Sequence, residues 1–187
     1  DPFWYSTVKS DWGFTLGKEQ YDWFKNVVSS STAKFKFVFS HNLVGGNGTD
    51  MRGGTEFIDL YEMGGYNLDG KWGFDTYRPG WGKPIHIIMK ENNVTAFFHG
   101  HDHFYGKQEK DGIIYQEVPQ PSNRSITNIS APAYGYADGL LLPGRGYVLV
   151  TVSGQDVKIE YIGTFLPGEE NASRKNATAI DSYTIYK

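Results

Sequence analysis

The chain has 187 residues, 39% of them hydrophobic and 21% charged, with a formal net charge of −3. That length suits one domain with its own core, and the faintly acidic balance removes the electrostatic case for binding nucleic acid or an anionic membrane surface. There is no cysteine, so disulfides and thiolate metal sites are excluded, and no apolar run of about 18 residues offers a membrane span. The 23 glycines and 16% aromatic residues point to strands joined by glycine-bent loops, not to a helical bundle. The opening Asp1-Pro2 lacks an initiator methionine, so the chain reads as a piece of something longer whose secretion signal would lie upstream, with a periplasmic or extracellular setting slightly favoured. Six Asn-x-Ser/Thr sequons, at Asn47, Asn93, Asn123, Asn128, Asn171 and Asn176, matter only in a eukaryotic secretory setting.

In chain order, Tyr21, Phe24, Val27 and Val28 recur at three- and four-residue spacing and predict an amphipathic helix after Gly17, stopped by Ser29-Ser30-Ser31. A strand over 34–40 follows, with Phe35, Phe37 and Phe39 on one face. Residues 41–79 resist a regular reading. They hold three glycine pairs, at most one short helix over 55–63, and begin on His41, which marks them as a loop covering a site. Residues 83–92 predict a helix with Pro84 in its first turn, Ile85, Ile88 and Met89 buried and His86 structural. The run 94–98 is a buried strand.

Beyond it, Lys110-Asp111-Gly112 predicts a hairpin of 105–108 with 113–118. Residues 123–143 read as loop, Gly154-Gln155 as the turn of a second hairpin (146–153 with 156–165), 167–178 as a mobile link and 180–186 as a last strand. Helix then strand, twice, implies a sheet flanked by helices.

Chemistry concentrates at Phe97-Phe98-His99-Gly100-His101-Asp102-His103. A buried strand runs into alternating histidines, the commonest metal-binding side chains, and Gly100 is expected to supply the sharp turn that re-aims them. His41 closes the earlier strand in the same way, so the pattern predicts a site at the carboxyl ends of neighbouring strands. His99, before the glycine, reads as a buried structural residue. Asp102 either orients an imidazole through its other nitrogen or fixes the loop. Arg52, in Met51-Arg52-Gly53-Gly54, is a candidate clamp for a phosphate oxygen.

A lone strand-closing His, then Gly-His-Asp-His closing a later strand, then a hairpin, resembles the C-terminal half of a calcineurin-like metallophosphoesterase, over nearly the whole chain to about residue 165. The resemblance implies an α/β fold, half of a four-layer α-β-β-α sandwich, here as a single partial domain over 1–187 with a tail from 167. It implies two zinc, manganese or iron ions, His41 and His101 on one and His103 on the other, and hydrolysis of a phosphate-ester small molecule by a metal-bridging hydroxide. The family's Asp-x-His, Gly-Asp-x-x-Asp and Gly-Asn-His-Asp/Glu motifs are absent; Gly46-Asn47-Gly48-Thr49 echoes only the last, without its histidine.

The bridging carboxylate and the leaving-group histidine are therefore missing. The chain alone is expected to bind metal weakly and hydrolyse nothing, and its exposed sheet face is expected to self-associate or take a partner. The alternatives are a non-catalytic binding module that keeps the fold and, least favoured, a mononuclear zinc hydrolase using three histidines.

Overall fold

The computed structural model describes residues 3–4, 11–127 and 129–187; Asp1-Pro2 and the Asn128 sequon lie outside them. The first helix, α1 (Lys18–Ser30), buries Tyr21, Phe24 and Val28 of the stripe that the sequence spacing predicts, while Val27, its fourth member, is 46% exposed. A second helix, α4 (Ile85–Glu91), buries Ile85, Ile88 and Met89. Between them in the chain come two single-turn helices, α2 (Tyr61–Gly64) and α3 (Phe74–Tyr77). Together these apolar stripes pack on Phe97, Ile113 and Tyr115 in the first of two large cores.

That core lies on one face of a five-stranded mixed sheet. Its strands are β3 (Phe37–Phe39), β4 (Ala96–His99), β5 (Tyr105–Lys110), β6 (Ile113–Glu117) and β7 (Leu140–Leu142), in spatial order β3-β4-β6-β5-β7. The first three in that order are parallel, and β5 runs antiparallel to both neighbours. A short ribbon, β1 (Phe3–Trp4) with β2 (Phe14–Thr15), precedes α1.

The other face meets a three-stranded antiparallel sheet of β8 (Gly146–Val152), β9 (Asp156–Gly163) and β10 (Ala179–Tyr186), with β9 central. Ala96, Phe98 and Ile114 pack there against Val157 and Ile159, joined by Phe37, Val148, Val150 and Ile185. The layers are thus helix, sheet and sheet. All four residues of β4 are buried, which explains why its sequence is a continuous apolar run and not an alternating one.

Several boundaries differ from the sequence expectation for identifiable reasons. The strand over 34–40 is regular only at Phe37–Phe39, because Lys36 N–H donates to Thr95 Oγ1 and not to a ladder carbonyl. Pro84 stands at the cap before the first turn of α4. The single helix over 55–63 is instead a 3₁₀ turn at Thr55–Phe57 followed by α2, and β7 forms inside the expected 123–143 loop, too short for alternation to reveal. The first hairpin closes as its turn residues dictate, with positive φ at both Asp111 and Gly112, the backbone that a two-residue primed turn requires.

Among the described residues, no strand pairs with the outer edge of β3. Lys36 and Ser40 exchange backbone bonds with the β4 side, so in a parallel ladder Phe37 and Phe39 direct theirs outward. Phe39 is 72% exposed and Trp23 61%, and the two help to line an apolar groove of about 340 Å³ between α1 and the edge. This combination invites pairing with another chain. Light scattering is expected to show concentration-dependent association that Phe39→Lys abolishes without lowering Tm; a wild type monomeric at high concentration would refute this. By contrast Phe98→Ala, emptying the space between the sheets, should cost about 3–5 kcal/mol in urea unfolding.

Candidate functional site

Parallel pairing in register brings the ends of β3 and β4 level. The alignment persists past the strands, because Ser40 N–H donates to Phe98 O at 3.1 Å and Gly100 N–H to His41 O at 2.8 Å. His41 and His101 therefore leave the same edge of the sheet. Their rings lie edge to face with centroids 5.2 Å apart, and His41 Nε2 is 3.2 Å from His101 Nδ1. The other His101 nitrogen, Nε2, is buried without a well-formed hydrogen bond, with the Asp50 backbone nearby. Burial, then the Arg52 cation, lowers the His101 pKa, with Asp102 opposing and His41 adding a smaller push down. A neutral imidazole keeps a lone pair for an electrophile at physiological pH.

Gly100, expected to supply the sharp turn, carries no left-handed backbone. The histidines themselves adopt it, with φ of 85° at His101 and 64° at His103. Such backbone costs a non-glycine residue roughly 1–3 kcal/mol and persists only when the surroundings impose it. His103 is exposed, and its carbonyl accepts Asn123 Nδ2–H at 2.7 Å.

Asp102, between them, is buried and fixes the loop; its hydrogen bonds go to no imidazole. Its Oδ1 accepts from Arg52 Nη1 and its Oδ2 from Gly53 N–H and the Tyr136 hydroxyl, each at 2.9 Å. Arg52 also donates to His101 O at 3.3 Å and lies over the Tyr134 ring at 4.2 Å, its side chain 24% exposed. The guanidinium expected to clamp a phosphate thus already holds the histidine loop with one edge.

Beneath the loop, His99 and Glu117 face each other across the paired ends of β4 and β6, both buried. His99 Nδ1 and Glu117 Oε2 are 2.8 Å apart but poorly aligned for a hydrogen bond, while Glu117 Oε1 accepts Asp102 N–H at 3.0 Å. Desolvation raises the Glu117 pKa, with His99 opposing. His86 is structural, bonded to the Tyr115 hydroxyl and Asp111.

Sequence reasoning missed Glu117, Asn123 and Tyr136. Only Glu117 left a signal, a charge closing the apolar run Ile113-Ile114-Tyr115.

The fit to a metal ion can be judged from the donors. Two tetrahedral zinc ligands lie about 3.3 Å apart, close to the 3.2 Å between His41 Nε2 and His101 Nδ1. Among the described residues, however, no group of three or more His, Asp or Glu side chains converges. His103 does not join the pair. The described residues fit part of a metal centre and not a whole one.

No family model and no curated protein matches the sequence. Solved structures do. The chain is similar to PhoD, at 18% identity and a TM-score of 0.52, over 92% of this chain and 33% of PhoD. It is also similar to the purple acid phosphatase PPD1 from yellow lupin seeds (13%, 0.49, over 91% of this chain and 28% of that one). A third likeness is to GAP50, the anchor in the inner membrane complex of Plasmodium (13%, 0.48, over 90% and 40%). The chain spans at most two-fifths of the length of these three structures. The likeness to PhoD shows a metallophosphoesterase fold, mixed α/β with flanking helices.

Because its folded pKa is raised, Glu117 contributes stability that is full below its unfolded pKa near 4.5 and lost as pH rises through the folded value. Glu117→Gln should therefore fold at pH 7 with Tm close to wild type. The wild-type-minus-variant stability difference should grow as pH falls from 7 towards 5, read by urea melts at each pH.

Proposed function

We propose that this chain carries one wall of a phosphoester-hydrolysing centre whose remaining ligands come from outside the described residues. The observation that carries the reading is the His41–His101 pair, nitrogens 3.2 Å apart, at the level ends of adjacent parallel strands in a metallophosphoesterase fold. In this reading His41 and His101 contribute to one zinc, manganese or iron ion, His103 to a second, and the exposed part of Arg52 faces a phosphate oxygen. Metal ions in such a centre supply Lewis-acid stabilisation of phosphoryl charge.

What the chain's own residues do is narrower. Burial and the Arg52 cation favour the neutral form of His101, its partner ring is brought within contact, and the loop from Asn47 to Phe57 is tied over the turn through Arg52 and Gly53. No described carboxylate converges with the pair; both oxygens of Asp102 and Oε1 of Glu117 are committed to donors inside the fold. No hydrolytic step is assigned to the chain alone. Domain identity follows the same reading, a single partial domain over residues 1–187.

The second reading, a binding module that keeps the fold without catalysis, draws on the same incomplete donor set. The two separate on the reading frame preceding Asp1, where Asp-x-His and Gly-Asn-His motifs would mark the enzyme. For the isolated chain, p-nitrophenyl phosphate and its bis ester with added Zn²⁺ or Mn²⁺ are expected to give turnover no faster than buffer. Zn²⁺ affinity by calorimetry should be weak and be lost in the His41→Ala, His101→Ala double variant. Robust hydrolysis surviving repurification would overturn the reading.

A further inference from the structure

We propose that Asp102 is the positioning residue of this site, the carboxylate that holds His101 against His41 and keeps the Gly100–His103 turn in its left-handed form. The inference rests on the reading that the two histidines face a cation, but its geometric part stands without it.

Two left-handed residues, His101 and His103, flank one ordinary residue, and neither is a glycine that adopts such angles freely. A solvent-facing loop would relax out of this arrangement unless other parts of the molecule imposed it. The restraints converge on Asp102, and all come from outside the turn. Its N–H is taken by Glu117 at the end of β6, its Oδ1 by Arg52, and its Oδ2 by Gly53 N–H and the Tyr136 hydroxyl.

Arg52 adds a bond to the His101 carbonyl, and Asn123 secures the His103 carbonyl. The buried carboxylate is thus the joint at which the loop after β3 and the segment after Ala131–Tyr134 meet the histidine turn, while the end of β6 holds the Asp102 backbone N–H.

The carboxylate is needed, and an amide does not replace it. An amide in its place presents NH₂ either to the Arg52 guanidinium or to Gly53 N–H, donor facing donor in both orientations. Arg52 itself is also engaged elsewhere, its guanidinium carbon 4.2 Å from the centre of the Tyr134 ring. Asp102 acts through the histidines and touches no reacting atom, so its loss should show first in where the imidazoles sit.

The experiment uses the whole 187-residue chain, metal-free and then with Zn²⁺ as probe. In wild type, a nuclear Overhauser effect between the His41 and His101 rings should be present. In Asp102→Asn it should vanish while circular dichroism remains that of the folded protein, and Zn²⁺ affinity should fall by about 10- to 100-fold. Tyr136→Phe, which removes a single donor, should weaken both signals by a smaller factor, and it decides the matter if Asp102→Asn does not fold. Unchanged ring contact and unchanged affinity in the folded variants would overturn the proposal. If wild type binds no Zn²⁺, the functional reading fails by itself, and the ring contact in the metal-free variants still decides the role of Asp102.

Discussion

The parallel register of β3 and β4 is the constraint on which the rest of the molecule depends. Strand β4 is buried on both faces, Phe97 towards the helices and Ala96 and Phe98 towards the second sheet. Neither strand can slip without turning those aromatic rings to the wrong layer. Because the register is fixed, the two strand ends are level, and residues that are sixty apart in sequence meet ring to ring. Packing in the interior thereby sets chemistry at the edge.

The edge itself is built at a cost. It combines left-handed backbone at two histidines with a buried carboxylate, a second carboxylate beneath it and a half-buried arginine. Each buried charge is tolerable because its partners are fixed: the Asp102 carboxylate has three donors around it, and Glu117 has the Asp102 N–H and the adjacent His99. Removing one partner from such a network strands the others in a medium that solvates them poorly. The network therefore behaves as a unit, holding the loop after β3, the end of β6 and the histidine turn in one arrangement.

The donor inventory bounds what the site can do. Two imidazole nitrogens lie 3.2 Å apart, a separation that suits one ion as well as a ring-to-ring hydrogen bond, and no third donor joins them among the described residues. The likeness to PhoD establishes the fold and leaves reaction and substrate open, and it covers a third of that structure. Among the described residues, one of the two strand ends and the apolar edge beside α1 both belong to β3, so one geometry exposes both.

Local pattern determined much of this protein by itself. The helical stripe of Tyr21, Phe24 and Val28, the buried run of β4, the Asp111-Gly112 turn and the two strand-closing histidines were legible because each expresses a rule acting over a few residues. The meeting of His41 and His101 was legible as two residues at neighbouring strand ends, since two apolar strands ending alike suggest a shared edge. Tertiary structure decided the rest. Whether Asp102 faces an imidazole or a loop depends on Arg52, Gly53 and Tyr136, which no spacing rule connects to it. The left-handed turn falls on His101 and His103 and not on Gly100 because long-range hydrogen bonds outweigh the local preference of glycine. Glu117 is buried and raised in pKa because β6 lies beside β4, and desolvation belongs to the folded assembly, not to the residue.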